Sequence, residues 1–247
     1  MERQRVIRSA SGFLSGADLQ KHIVRSYFMM RVGLGVIGIG FPFLLLLGGL
    51  AIGIAAQGSI SAYYFATSPD GASMRNWFVG LLFMVAISLG LYQGFSIGED
   101  ILLDAAAVFG VGIAIFPTPW PGTQTAMLFG IPVHIICAVT FFLCIAFVCW
   151  FYADDTLSLI HNAARRKGLK IVYRTISMLM PASMIVAWVV GKGYGVFWAE
   201  AAGIFSFGAY WLVKSYELRT TEADKRAIAG RLEQNYGQVE EINSNTS

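Results

Sequence analysis

Few residues of this chain can carry chemistry, and their spacing sorts them into two groups. Ser59, Ser61, Tyr63, Tyr64 and Arg75 crowd into one stretch, GSISAYYFATSPDGASMRNWFVG at 58–80, where a plain connector would need none of them. His134 and Glu200 lie inside apolar runs, where an ionisable side chain is costly unless it is paired or faces water. Together these seven read as an outward-facing polar pocket: a carboxylate and an imidazole roofed by hydroxyls and a guanidinium. The second group is Glu99, Asp100 and Asp104. The pattern E-D-x-x-x-D sets Asp100 and Asp104 on one helical face, which suits an inner acidic cluster for a cation or a proton.

Each group also has a plainer account. Glu99 and Asp100 open an apolar run, where carboxylates cap free backbone donors and complement the positive end of a helix dipole. His134 and Glu200 can simply satisfy each other, or backbone freed by Pro132, and Arg75 can sit among headgroups beside Trp77. A Ser-His-acid hydrolase needs nucleophile, base and orienting acid within hydrogen-bond reach, and spacing alone does not supply that; the Gly-x-Ser-x-Gly elbow is missing. The three histidines, His22, His134 and His161, fall in three separate regions, and His134-x-x-Cys137 offers only two ligands. No metal and no cofactor is expected.

The elements that position these residues are apolar. Hydrophobic residues make up 56% of the 247 and charged residues 13%, against about 25% charged in ordinary soluble domains. Runs of about 20 apolar residues, enough to cross a bilayer core, recur along the chain. We expect six spans, at 32–56, 77–95, 101–117, 126–150, 171–190 and 194–213, in an all-α polytopic transmembrane bundle. Pro42 is expected to kink the first and Pro181 to interrupt the fifth. Gly49-x-x-x-Gly53 and Gly90-x-x-x-Gly94 suit close helix packing. If the fourth span begins at 126, His134 and Glu200 both lie roughly 9–12 Å below the outer surface, at a depth where they can meet.

Charge sets the threading. Six basic residues precede the first span, four occupy the 151–170 connection, and five follow the last span, while the outer connections hold only Arg75 and Lys192. Lys and Arg favour the cytoplasmic side, so both termini are expected there, in a bacterial inner membrane. The domains are then a basic segment at 1–31 that suits an interfacial helix, a six-helix transmembrane unit at 32–214 and a polar tail at 215–247 with a disordered end. Cys137, Cys144 and Cys149 share one apolar span, which excludes a secreted disulfide framework and leaves them as small core residues. No basic stripe suggests nucleic acid. The partners expected are membrane lipids, together with a helix–helix partner or a second copy of the chain.

SISAYY, R-N-x-F-V-G at 75–80, Asp100 to Asp104, A-I-F-P-T at 114–118 and His134 together resemble uncharacterised bacterial multi-spanning membrane proteins of the DUF998 and Frag1-like kind. The likeness covers 59–142. Those families compare loosely with the CREST group of membrane hydrolases, which use a Ser, an Asp and several His at a metal site. Only Ser61 and Asp104 correspond here; the later paired histidines are missing. Three function classes follow. First is a binding, sensing or assembly protein without catalysis, because packing glycines and aromatic belts account for most of the sequence. Second is a small-solute or ion transporter or channel, and third a membrane-embedded hydrolase acting on lipid-like substrates.

Overall fold

The computed structural model describes residues 14–228, and these are mostly helical. Helix α1 spans Gly16–Ala51, capped by the Ser15 hydroxyl, which accepts the Asp18 N–H at 3.2 Å. Then come α2 (Arg75–Leu91), α3 (Ile97–Ile115), α4 (Val133–Phe147), a π-turn at Val148–Tyr152 leading into the short α5 (Ala153–Leu157), α6 (Ala163–Val190), α7 (Tyr194–Thr221) and α8 (Ala223–Ile228). Four stretches are long and apolar enough to cross a membrane: Gly16–Ala51, Val133–Leu157, Ala163–Val190 and Tyr194–Thr221. The other two long helices are shorter or more charged at their start. Around the bundle the neighbours run α1, α7, α6, α4, α3, α2 and back to α1, so the six long helices close a ring.

Its core is apolar, as in a water-soluble fold, but its exterior is apolar too. Trp188 is 83% exposed and Val108 69%, while Arg31 and Glu217 are fully enclosed. Such an arrangement is stable where the surroundings are hydrocarbon, since lipid tails cover the apolar exterior and the costly groups are sequestered with partners. The chain is a membrane protein.

Several boundaries differ from the sequence reading, each for a local reason. Helix α1 runs unbroken through Arg31, and through Pro42, which is buried in mid-helix; likewise α6 runs through Pro181. A proline removes one backbone donor, and neighbouring turns carry the helix past it. Residues 126–132 are not helical. Met127–Leu128 pairs with Ile131–Pro132 as a hairpin whose two turn residues, Phe129 and Gly130, both have positive φ, so the fourth helix starts only at Val133. The polar tail starts as helix, since α7 continues to Thr221. Residues 1–13 and the proposed disordered end lie outside the described residues.

The glycines also act differently. Gly53 and Gly94 both follow the ends of their helices, and Gly53 takes φ +79° in the turn after α1. The tight crossing is elsewhere, between α1 and α7: a Cβ on Gly38 would stand 2.7 Å from the Gly208 Cα, and one on Gly35 2.6 Å from Leu212. The backbones touch, so no side chain fits at Gly38 or Gly208. Cys137, Cys144 and Cys149 are buried, free thiols, with Cys137 against Gly112. Gly208→Ala should therefore destabilise the detergent-solubilised protein by about 1–3 kcal/mol, whereas Gly33→Ala, where the added methyl meets nothing within 4 Å, should not. Thermal unfolding of both variants checks this.

Candidate functional site

At one end of the bundle the 58–64 segment lies across the tops of α4 and α7. Its position is set by a backbone approach: Gly58 packs on Gly193, where a Cβ would come within 3.2 Å, and the Gly58 carbonyl accepts the Phe197 N–H at 3.0 Å. Ser61–Tyr64 then forms one 3-10 turn. Glu200, about 9 Å into α7 at roughly 1.5 Å per residue, points its carboxylate at the start of that turn. Ser59 Oγ donates to it at 2.9 Å and the Ile60 N–H at 2.6 Å. The Ser61 N–H donates back to Ser59 Oγ at 3.2 Å.

His134 holds the same turn from α4. Its Nδ1 lies 2.8 Å from the Phe116 carbonyl, which can only accept, so Nδ1 carries the proton. In the neutral ring Nε2 is then an acceptor, and Ser61 Oγ stands 3.0 Å from it. His134 is the second residue of α4 rather than deep within a span, because the hairpin occupies 126–132. Among the described residues no hydrogen bond joins His134 to Glu200; each instead binds one of two serines two positions apart. Tyr63 is fully buried against Gly49 and Phe197, accepts the Gln57 N–H at 3.4 Å, and has its phenol pushed above the ordinary value by burial. Arg75 stays exposed: it donates to the Tyr64 carbonyl at 3.3 Å and its guanidinium lies 4.5 Å from the Tyr64 ring centre. It joins neither ionisable group.

Nucleophile, base and orienting acceptor stand in line as Ser61, His134 and the Phe116 carbonyl, which is the geometry of an activated hydroxyl. Acyl transfer also needs free donors for the oxyanion. Here the nearest backbone donors are spent, Ile60 on Glu200 and Ser61 on Ser59.

The acidic group at the other end does not assemble as a cation site. Glu99 is 1% exposed and reaches back to accept the Phe95 N–H at 2.8 Å, while Asp100 accepts the Gly94 N–H at 2.5 Å and Ser96 caps α3. Both carboxylates are capping a helix start. Asp104 faces outward. It also lies about 18 Å along α3 from the Phe116 carbonyl that leads to Ser61, at roughly 1.5 Å per residue. The shared Ser61–Asp104 site implied by the family resemblance is not formed. Among the described residues no group of three or more His, Cys, Asp or Glu is placed to hold a metal ion.

The structure buries a further set that sequence reasoning assigned to the basic ends. Lys214 and Glu217, three apart on α7, are 1% and 0% exposed and stand 3.6 Å apart. Lys214 donates to Thr156 Oγ1 at 2.6 Å, Thr156 donates to Glu217 at 2.5 Å, and the Tyr173 hydroxyl donates to the other Glu217 oxygen. Beside them Arg31 grips both oxygens of Asp224, at 3.1 and 2.5 Å. One signal was available: Arg31 continues the buried stripe of Leu34, Gly38, Phe41 and Leu45 along α1. Asp154, near this end, is held by Lys170 at 2.7 Å and Arg174 at 3.3 Å.

Comparison of the chain with known protein families, with curated proteins and with solved structures finds no match.

Two substitutions probe the two ends. Glu217→Leu leaves the Lys214 charge buried and unpaired, and should cost about 3–5 kcal/mol of stability, while Glu217→Gln should cost less because both hydroxyl contacts keep an acceptor or donor. Denaturant titration in detergent reads the difference. Glu200→Leu strands the Ile60 N–H and the Ser59 hydroxyl, about 1–3 kcal/mol each when buried. Amide exchange at 60–64 should speed up by at least an order of magnitude while exchange at the α1–α7 crossing stays unchanged.

Proposed function

We propose that this chain is a multi-pass protein of a bacterial inner membrane, crossing six times with both termini cytoplasmic, and that it works by binding or assembly rather than catalysis. What carries the non-catalytic reading is the use made of Glu200 and His134. Both Glu200 oxygens and His134 Nε2 are engaged by the 58–64 segment, and His134 Nδ1 is engaged by the Phe116 carbonyl, so the two side chains hold that segment down as a lid and keep no polar atom free. Reaction or transport would need at least one of them open to a substrate or to water. The threading draws support from the ends of the bundle: Arg31, Lys170 and Lys214 cluster at one, and the lid at the other. The surface held in place around the lid is apolar and aromatic. Trp120 stacks on Phe65 at 5.1 Å, and the hairpin tip presents Phe129, 93% exposed. A ligand or partner there would be lipid-like or another apolar protein surface.

Membership of the DUF998 or Frag1-like group belongs to the same proposal and rests on the motifs at 59–142; the hydrolase chemistry of the CREST group is not carried with it, since Ser61 and Asp104 do not share a site. A hydrolase is the second reading, and the Ser61–His134 alignment is what favours it. The two are separated by a fluorophosphonate probe applied to the protein in nanodiscs. We expect no labelling at Ser61. Labelling that vanishes in both Ser61→Ala and His134→Ala would establish the hydrolase instead. For transport, the native Cys137, one turn along α4 from His134, and a cysteine introduced by Ala201→Cys next to Glu200, which leave both anchors in place, should remain sealed to a membrane-impermeant thiol reagent.

A further inference from the structure

The first four turns of α1 lean against the C-terminal end of α7 and against α8, and between them lies an open-sided cavity of about 840 Å³. Its wall carries an apolar side and a charged side, the latter including the carboxylates of Glu222 and Asp224. Val24, Phe28 and Leu218 make an apolar side, with Leu218 buried; Lys21, Arg25 and Arg219 bring positive charge.

The charges around it do not balance. Asp18 is taken by Lys21 at 3.6 Å, Glu222 by Lys225 at 2.6 Å, and Asp224 by Arg31. Arg25 and Arg219 have no carboxylate partner among the described residues. Arg219 is nevertheless held in place, its guanidinium 5.5 Å from the Phe28 ring centre, which keeps it on the cavity wall. Two guanidiniums suit the paired oxygens of a phosphodiester, and the apolar side suits the start of an acyl chain. Arg25 lies about 9 Å along α1 from Arg31, at roughly 1.5 Å per residue, where the helix leaves the bundle. In the threading proposed above, that is headgroup level.

We propose that this cavity binds an anionic phospholipid of the inner leaflet, its phosphate between Arg25 and Arg219 and its acyl chain along Val24, Phe28 and Leu218. The leaflet rests on the threading proposed above; the site itself rests on the cavity and its unbalanced charge. It gives α1 and α7 a shared ligand at the end where both leave the bundle.

The test is native mass spectrometry of the full-length protein in a neutral detergent, titrated with phosphatidylglycerol or with phosphatidylcholine of the same acyl chains. Phosphatidylglycerol should be retained about tenfold or more over phosphatidylcholine, the scale expected of two basic residues at an anionic headgroup. Arg25→Ala with Arg219→Ala should abolish the preference; Arg25→Lys with Arg219→Lys, which keeps the charge, should retain most of it; Arg166→Ala with Lys167→Ala, outside the cavity, should leave it whole. Equal retention of the two lipids, or an unchanged preference in the double alanine variant, would overturn the site. Displacement of phosphatidylglycerol by inorganic phosphate alone would overturn the lipid in favour of a free anion. An impermeant thiol reagent reaching Lys167→Cys from the outer side would overturn the threading and the leaflet while leaving the lipid preference intact, so the two failures are distinguishable.

Discussion

At Gly38 and Gly208 the first and last long helices touch backbone to backbone, and the two polar ends of the bundle depend on that contact. A crossing this close lets α1 and α7 stay adjacent over much of their length. At one end it brings the chain leaving α1 over the top of α7, so that Ser59 and Ile60 reach Glu200. At the other it lets Arg31 meet Asp224 just beyond α7. A methyl group at either glycine would push the helices apart and loosen both ends together.

The two ends answer the same cost in different ways. An ionisable group removed from water must find an opposite charge or a full set of hydrogen bonds. At the α8 end, Lys214 and Glu217 find each other, with Thr156 and Tyr173 completing the set, and Arg31 takes both oxygens of Asp224. At the opposite end, Glu200 has no cation in its hydrogen-bond set and uses a hydroxyl and a backbone N–H of the 58–64 segment instead. The lid is therefore the solvation shell of Glu200. This explains why so polar a stretch joins two apolar helices: its serines are there to be consumed.

Much of the scaffold was legible in the amino-acid order. Long apolar runs announced the helices, since a membrane helix must satisfy its own backbone and cover itself with hydrocarbon. Ser96 with Glu99 and Asp100 announced a capped helix start, and the capping contacts are what the structure contains. The pairing of Ser59 and Ser61 with Glu200 and His134 was legible only as a shared depth. Which serine meets which partner depends on the 3-10 turn and on the Gly58–Gly193 contact, neither of which has a periodic signature. Lys214 and Arg31 were read as charges that orient the chain, because positive residues beside an apolar run usually do that. Their burial follows from which face of the helix the ring encloses.

Sequence alone determined that this is a helical membrane protein, where its long apolar runs lie, and that its ionisable residues inside those runs are few. These are properties of composition and of local hydrogen bonding, which each segment settles by itself. Tertiary structure decided the rest: that Gly38 rather than Gly49 makes the close helix crossing, that His134 sits at a helix start next to a hairpin, and that Glu200 accepts from Ser59 and Ile60 rather than meeting His134. Such outcomes turn on contacts between residues far apart in the chain, where one side chain's partner is fixed by the path of another helix.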